Sequence, residues 1–95
     1  MTHFVYILAS RRRGAVYGGS ARHLRERVEQ HRSGAVRGHT RKYGIKTLVY
    51  FEAHETLQAA LLREKQIKRW RRAWKDELIA GLNLGWRDIS PEMPF

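Results

Sequence analysis

The stretch from His3 to Arg32, HFVYILASRRRGAVYGGSARHLRERVEQHR, decides the fold, because it predicts two paired strands followed by a helix. Its first part, His3 to Ala9, consists almost entirely of strand-forming residues, as expected of a strand buried on both faces. Ser10 to Gly14 is a polar turn, and Ala15 to Tyr17 is a second short strand. The two strands should therefore form a hairpin.

A helix is predicted directly after the hairpin. Gly18 and Gly19 should end the second strand, and Ser20 is placed to cap a helix that runs from Ala21 to about Arg32. The Ser-Gly pair that follows should stop this helix.

The rest of the chain predicts one more strand and two further helices. A basic loop with one helical turn over residues 35–44 comes first, and a strand from Lys46 to Glu52 follows it. A helix from about Thr56 to Trp70 and a final helix ending near Asn83 come next. The tail, from Leu84 to Phe95, should pack across the surface. This order predicts an α/β (α+β) fold with a small three-stranded sheet flanked by helices. The 95 residues should form one domain, 1–95, with its core over about 3–89 and a short tail at 90–95.

The composition is that of a folded and strongly basic protein. Hydrophobic residues make up 42% of the chain, which is enough for a core, and the formal net charge of +10 is typical of a polyanion binder. The absence of cysteine excludes disulfides and cysteine metal sites and permits a reducing compartment. The apolar run Phe4 to Ala9 is far too short to cross a membrane, so we expect a cytoplasmic protein with no membrane partner.

Most of the positive charge lies in two segments. Residues 20–42 and 61–75 together contain most of the 19 basic residues: Arg22, Arg25, Arg27, Arg32, Arg37, Arg41 and Lys42 in the first, and Arg63, Lys65, Lys68, Arg69, Arg71, Arg72 and Lys75 in the second. This concentration favours a phosphate-binding site. A basic face that only keeps the protein soluble is the alternative.

Ionisable residues interrupt the apolar stripes of two predicted helices. Glu64 falls in the middle of the stripe formed by Leu57, Ala60, Leu61 and Ile67. His31 lies within the stripe of the first helix, and Arg27 lies at its edge. A carboxylate turned toward a core must be paired, protonated or bound to a cation. These misfits therefore predict a charged site on the inner faces of the two helices.

Five short elements follow one another in the order of a known family. They are Phe4-Val5-Tyr6, Tyr17-Gly18-Gly19, the run from Ser20 to His31, the run from Arg63 to Trp70, and Trp74 together with Asn83 to Asp88. Together they resemble the GIY-YIG nuclease domain, in particular its small single-domain bacterial branch (UPF0213-like), over roughly residues 3–89. One tripeptide is a weak signal, but five elements in order form a strong one.

The resemblance implies a fold, a reaction and a set of site residues. The fold is an antiparallel three-stranded sheet, and the reaction is hydrolysis of nucleic-acid phosphodiesters with a divalent cation, with DNA favoured over RNA as the substrate. The catalytic residues that it implies are Tyr6, Tyr17, Arg27, His31 and Glu64. Glu64 is then the sole metal-binding carboxylate, for one Mg²⁺ or Mn²⁺. Both misfits, His31 and Glu64, are site positions of this family.

The side chains themselves suit this chemistry. Cleavage needs an activated water, neutralised phosphate oxygens and help for the leaving oxygen. Arg27 offers a planar donor fork for phosphate, although a surface ion pair with Glu26 or a neighbouring acid is its alternative role. Glu64 can hold one hard cation that keeps most of its water shell. One metal is expected because Glu52 and Glu55, the nearest acids in sequence, precede or begin the helix.

Tyr17 is the expected general base or water-positioning group, and Tyr6 and His31 are expected to position water or phosphate. A free phenol has a pKa of about 10 and is a poor base near neutrality unless cations lower that value. Arg27 and a bound metal would lower it, or His31 would relay the proton. The alternatives are ordinary strand packing for the tyrosines and a hydrogen-bonded core position for His31.

Nine further residues are expected to contact nucleic acid: Arg25, Arg41, Lys42, Tyr43, Lys65, Lys68, Arg69, Arg71 and Arg72. The basic ones should contact the phosphate backbone without reading the sequence, and their alternative is a solvated helix face. Tyr43 either borders the site and stacks on a base, or anchors a loop. Trp70 and Trp74 are expected in the core or at a helix junction rather than as stacking platforms.

The leading functional hypothesis is a metal-dependent endonuclease. Its main alternative is a nucleic-acid-binding module whose nuclease site is vestigial or very slow. A basic protein that merely rests on RNA or on a partner protein would explain the charge but not the placement of Glu64. Gly18 departs from the family pattern, where a β-branched residue is usual, and should weaken its strand by about 0.5–1 kcal/mol.

Overall fold

The computed structural model describes residues 2–35 and 38–93, so Arg37 of the first basic segment and the end of the tail, Pro94 and Phe95, lie outside the described residues. Within them the elements are β1 (His3–Ala9), β2 (Val16–Ala21), α1 (Leu24–Arg32), α2 (His39–Lys42), β3 (Thr47–His54), α3 (Leu57–Arg69), α4 (Arg72–Leu82) and a short 3₁₀ turn (Ser90–Glu92). The strands form one antiparallel sheet in the order β2-β1-β3. The predicted α+β fold is confirmed.

Strand β1 lies at the centre of the sheet and is buried on both faces, as its sequence predicts. Successive side chains of a strand point to opposite faces, so β1 supplies two separate hydrophobic clusters. One contains Phe4, Tyr6 and Leu8, and the other contains Val5, Ile7 and Ala9. The first cluster is covered by Leu24 and Val28 of α1, and the second by Ala60, Ile67 and Ile79 of α3 and α4. The sheet is therefore flanked by helices on both faces.

Strand β2 is longer than its sequence predicts. It continues through Gly18 and Gly19 to Ala21, and pairs Gly18 with Ile7 and Gly19 with Tyr6 of β1. The expectation that the two glycines end the strand is wrong, because the ladder with β1 holds them in extended backbone. At Gly19 a side chain would also collide with Tyr6, since an added Cβ would lie 2.7 Å from the Tyr6 hydroxyl oxygen.

Ser20 belongs to β2 and does not cap the first helix. Helix α1 begins at Leu24, and its N-cap residue, His23, makes no side-chain capping hydrogen bond. The Ser20 hydroxyl is used elsewhere, because it donates to the carboxylate of Glu64 at 2.7 Å. Helix α3 does have a side-chain cap at its start, since the Thr56 hydroxyl accepts from the Ala59 N–H at 3.1 Å.

The tail enters the core instead of only covering the surface. Trp86 joins the cluster below α3 and α4, and Ile89 and Met93 join the one below α1. Asn83 fixes the start of the tail: its side-chain amide donates to the carbonyls of Val49 and Arg87 at 3.1 and 2.7 Å. This contact holds the chain as it turns inward after α4.

Helices α3 and α4 match their predicted ends, but some of their apolar residues are more exposed than the stripe suggests. Leu57 and Leu61 are 48% and 43% exposed, because only the part of α3 around Ala60 and Ile67 rests on the sheet. Trp70 is half-buried and Trp74 is 47% exposed at the junction of the two helices, so Trp74 is not a core residue. No helix among the described residues is long and apolar enough to cross a membrane.

Candidate active site

Tyr6, Tyr17 and His31 form one aromatic cluster between the sheet and α1. Tyr6 on β1 and Tyr17 on β2 point to the same face, and their ring centroids are 6.4 Å apart. The imidazole of His31, in the last turn of α1, lies 5.2 Å from the Tyr17 ring and 6.0 Å from the Tyr6 ring. The hairpin register and the helical spacing thus bring together three of the five predicted catalytic residues.

Tyr6 and His31 are buried and bonded to each other. Each is 1% exposed, and the Tyr6 hydroxyl lies 3.1 Å from His31 Nε2, while His31 Nδ1 lies 3.2 Å from the Thr40 hydroxyl on α2. Burial raises the pKa of Tyr6, and burial together with the positive charge of Arg27 lowers the pKa of His31. Both groups are therefore neutral near pH 7, which favours a chain in which Tyr6 donates to His31 and His31 donates to Thr40.

Arg27 lies at the edge of this cluster with its guanidinium among polar partners. Hydrogen bonding to the Tyr6 phenol raises the pKa of Arg27, and Tyr17 adds to this effect. A second guanidinium contact runs to Gln30 Oε1 at 3.1 Å. Among the described residues, Arg27 contacts phenols and an amide, which does not support the alternative of a surface ion pair with Glu26.

Glu64 lies beside the edge strand β2 on the face of the sheet that α3 covers, opposite the aromatic cluster, so the expectation of one site on the inner faces of both helices is wrong. The acid is neither sealed nor fully solvated. Its side chain is 18% exposed, and its carboxylate accepts from Ser20 at 2.7 Å and from Lys68 Nζ at 2.5 Å. Burial favours the neutral acid, but the hydrogen bonds from Lys68 and Ser20 outweigh it and lower the pKa of Glu64. The Lys68 ammonium also lies 5.8 Å from the Tyr17 ring centroid, which connects the acid to the aromatic cluster.

The other acid weighed for the site, Glu52, is used elsewhere. Its carboxylate accepts from the Tyr50 hydroxyl at 2.5 Å and from Arg63 Nε at 3.1 Å, and it pairs with His54 Nε2 at 2.5 Å. Within residues 2–35 and 38–93, no group of three or more His, Asp or Glu side chains is arranged to hold a metal ion.

Two shallow clefts open beside the cluster and share Ala21 at the end of β2. One, of about 220 Å³, is lined by Ala21, His23, Glu26, Arg27 and Gln30. The other, of about 240 Å³, is lined by His3, Ser20, Ala21, Arg22 and Leu57. A larger cleft of about 650 Å³ at the start of α1 includes Arg25 but none of the five predicted catalytic residues. The candidate site is thus an open edge, which suits an extended polymer better than an enclosed small molecule.

Most of the residues predicted to contact nucleic acid are exposed. Arg41, Lys42 and Tyr43 follow Thr40, which ties this segment to His31; Arg25, Lys65, Arg69 and Arg71 lie on the faces of α1, α3 and the α3–α4 junction. Arg72 differs, because its guanidinium donates to the carbonyl of Gly14 and to Asp76 and lies 5.9 Å from the Trp86 ring. Arg72 therefore holds α4 to the hairpin turn.

Four residues beside the site have roles that the sequence analysis did not assign. Lys68 pairs with Glu64, Ser20 donates to it, Thr40 bonds His31, and Gly19 makes room for Tyr6. The spacing of Glu64 and Lys68, four residues apart on a helix, is a recognisable signal for an ion pair. The other three contacts join distant segments and have no local signature.

Comparison with known proteins places this chain in a family. Residues 2–77 match the GIY-YIG catalytic domain family, so the chain belongs to that family, which is a nuclease superfamily. The predicted resemblance is confirmed. Along most of its length the chain is similar to UPF0213 proteins of Staphylococcus aureus, from strains Mu3 and Mu50. Each is 40% identical over 78 residues, which cover 82% of this chain and 94% of the relative.

A solved structure supports the fold assignment. The solution NMR structure of the UPF0213 protein BH0048 from Bacillus halodurans matches this structure with a TM-score of 0.58 and 26% sequence identity. The match covers 95% of both chains, so it includes the hairpin, the helices and most of the tail.

Proposed function

We propose that this protein is a metal-dependent endonuclease that hydrolyses nucleic-acid phosphodiesters, with DNA as the favoured substrate and RNA as the other candidate. The observation that carries the proposal is the convergence of Tyr6, Tyr17, His31 and Arg27 around one cluster that Lys68 connects to Glu64. Membership of a nuclease superfamily supports the same reaction class.

The aromatic residues differ in burial, which indicates different roles in the proposed reaction. Tyr17 is half-buried and can reach a bound strand, whereas Tyr6 and His31 are almost completely buried. We therefore assign to Tyr17 the task of positioning the attacking water or accepting its proton. Tyr6 and His31 are positioning residues, because they hold Arg27 and the cluster in place from below.

Arg27 is assigned to the phosphate group. Its guanidinium remains protonated at all relevant pH values and presents several N–H donors in one plane, which match the oxygens of a phosphodiester. The cleft beside it, lined by Ala21 and Gln30, gives a strand access to this face.

The donor set around Glu64 fits a single hard cation such as Mg²⁺ or Mn²⁺. A partly buried carboxylate with a lowered pKa is ionised near neutrality, and Mg²⁺ is commonly held by one or two carboxylates together with water and substrate phosphates. When bound, the cation would supply positive charge to the phosphate and to the leaving oxygen. Lys68 must then move away from Glu64 Oε2.

A second candidate function, a nucleic-acid-binding module with a vestigial or very slow nuclease site, is favoured by the same ion pair. With Lys68 on its carboxylate, Glu64 is already neutralised by a cation of the protein itself. The basic residues of the second segment would in that case provide the whole function.

The deciding experiment incubates the purified protein with labelled single-stranded, duplex and branched DNA and with RNA, with and without Mn²⁺. Cleavage by the wild type should disappear in Glu64→Gln while binding is retained. Glu55→Gln, which changes an exposed acid just before α3, is the matched control and should cleave like the wild type. Equal nicking by the wild type and Glu64→Gln, or no metal-dependent cleavage of any substrate, would overturn the endonuclease proposal.

A further inference from the structure

The junction of α3 and α4 exposes an aromatic cleft away from the aromatic cluster of the candidate active site. The cleft measures about 380 Å³ and is lined by Trp70, Trp74, Glu77 and Leu78. The two indoles meet edge to face, with centroids 6.2 Å apart and planes at 82°. Trp74 is 47% exposed, which is unusual for so large an apolar side chain. Neither the fold nor the proposed reaction requires this exposure.

A guanidinium lies over each indole of the cleft. The guanidinium of Arg71 lies 5.2 Å from the Trp74 ring centroid. That of Arg63 lies 5.0 Å from the Trp70 ring centroid but is already paired with Glu52. Arg69 is exposed at the end of α3, and Lys75 is half-buried in the first turn of α4. Only Glu77 contributes a negative charge to the lining. A ligand for this cleft should therefore combine a flat apolar group with negative charge.

We propose that this cleft binds an unstacked base of single-stranded nucleic acid, with the base packed on Trp74 and the adjoining phosphates paired with the arginines. Every base has a flat π-face, so stacking on an indole does not depend on sequence. The Glu77 carboxylate at the wall can accept a hydrogen bond from the exocyclic amino group of cytosine or adenine. The inference rests on the nucleic-acid substrate of the proposed function and adds a requirement for unpaired bases.

The position of the cleft suits a strand that also passes Glu64. Trp70 comes six residues after Glu64 and directly follows the last residue of α3. Six residues correspond to about 9 Å along the helix axis. The helix that carries Glu64 therefore also leads directly to one wall of the cleft.

The test measures binding in the absence of cleavage. The full chain carrying Glu64→Gln is titrated, in EDTA, into a fluorescently labelled single-stranded DNA oligonucleotide and into the same sequence as a duplex. Adding Trp74→Ala should weaken binding to the single strand about 5- to 100-fold, with little effect on the duplex. The salt dependence should keep its slope, because no charge is removed. Trp74→Phe should retain most of the affinity and guards against loss of the fold.

The matched control is Leu84→Ala, which shortens another exposed apolar residue, 75% exposed, outside the cleft. It should leave the affinity unchanged. Equal losses for Leu84→Ala and Trp74→Ala, or equal losses on single strand and duplex, would overturn the stacking proposal. So would a Trp74→Ala variant with unchanged affinity whose sedimentation shows the loss of a dimer, because the occupant would then be a second copy of this chain.

The outcome separates this inference from the proposed function. Trp74-dependent binding without any metal-dependent cleavage would overturn the endonuclease proposal alone. Cleavage that is abolished by Glu64→Gln, combined with binding that does not depend on Trp74, would overturn only the stacking site.

Discussion

Lys68 and Glu64 lie one helical turn apart on α3, and the Lys68 ammonium is 2.5 Å from Glu64 Oε2. The same ammonium is 5.8 Å from the ring of Tyr17 on β2. The pair therefore joins the acid proposed to hold a metal to the phenol proposed to act on water. A divalent cation bound at Glu64 would compete with Lys68 for one carboxylate, and this competition would have a measurable consequence.

Replacing Lys68 with methionine should strengthen cation binding. Without the ammonium, Mn²⁺ no longer has to displace a bound charge from Glu64, and a partly exposed pair of this kind is worth up to about 1 kcal/mol. The dissociation constant for Mn²⁺, measured by calorimetry without nucleic acid, should fall by up to about 5-fold. Lys65→Met removes the same charge from an exposed position next to Glu64 in sequence and should have a smaller effect. Equal effects of both variants would mean that only net charge matters.

Gly18 and Gly19 adjoin in β2, yet they should respond to alanine in opposite directions. A Cβ at Gly19 would lie 2.7 Å from the Tyr6 hydroxyl oxygen and 2.9 Å from its Cζ, so the buried ring would have to move. Gly19→Ala should destabilise the protein by about 1–3 kcal/mol. A Cβ at Gly18 would meet only the Tyr6 carbonyl oxygen, at 3.9 Å, and Gly18→Ala should stabilise by about 0.5–1 kcal/mol. Urea unfolding measures both; destabilisation by Gly18→Ala would contradict this account of β2.

The neutral, buried state of His31 predicts how stability depends on pH. Burial and the charge of Arg27 hold the pKa of His31 below its ordinary value of 6.5. As pH falls below 6.5 the unfolded chain takes up a proton at this residue before the folded protein does, so the free energy of unfolding decreases. His31→Gln should flatten this decrease between about pH 6.5 and 5 in urea titrations.

The control for this pH dependence is His23→Gln, which changes an exposed histidine at the start of α1. It should leave the slope unchanged. The lowered pKa values of Glu52 and Glu64 act in a different window, because their contribution is lost only as pH falls below about their ordinary value of 4.5. An unchanged slope in His31→Gln would show that folding does not lower the pKa of His31.

The order of elements could be predicted from the sequence because local patterns determined it. The apolar run of β1 has no polar face, so this strand had to be buried on both faces of the sheet. Thr56 is a residue type that often caps a helix, and it caps α3. The end of β2 could not be predicted, since two glycines normally break a strand and only pairing with β1 keeps them in it. The inward course of the tail depends on Asn83 reaching the carbonyl of Val49, a contact over 34 residues.

The sequence pointed to those residues of the candidate site that break the apolar pattern of a helix. His31 and Glu64 interrupt apolar stripes, and His31 is indeed buried, while Glu64 is half-buried. Their partners Thr40 and Ser20 are ordinary residues whose roles arise only when distant segments meet. The exposure of Trp74 was also unpredictable, because it depends on the angle between α3 and α4 rather than on either helix.

Arg71 and Arg72 are neighbours of the same type, but they have different surroundings in the structure. Arg72 donates to the Gly14 carbonyl and to Asp76 and packs over Trp86, so Arg72→Ala should destabilise the fold by about 1–2 kcal/mol. Arg71 is exposed, so Arg71→Ala should leave stability nearly unchanged. It should weaken nucleic-acid binding and reduce the slope of log affinity against log salt concentration by the equivalent of about one phosphate contact. Urea unfolding and binding titrations at several salt concentrations separate the two effects. If Arg72→Ala flattened the salt dependence as much as Arg71→Ala and left stability intact, Arg72 would have to leave Gly14 and bind phosphate in the complex.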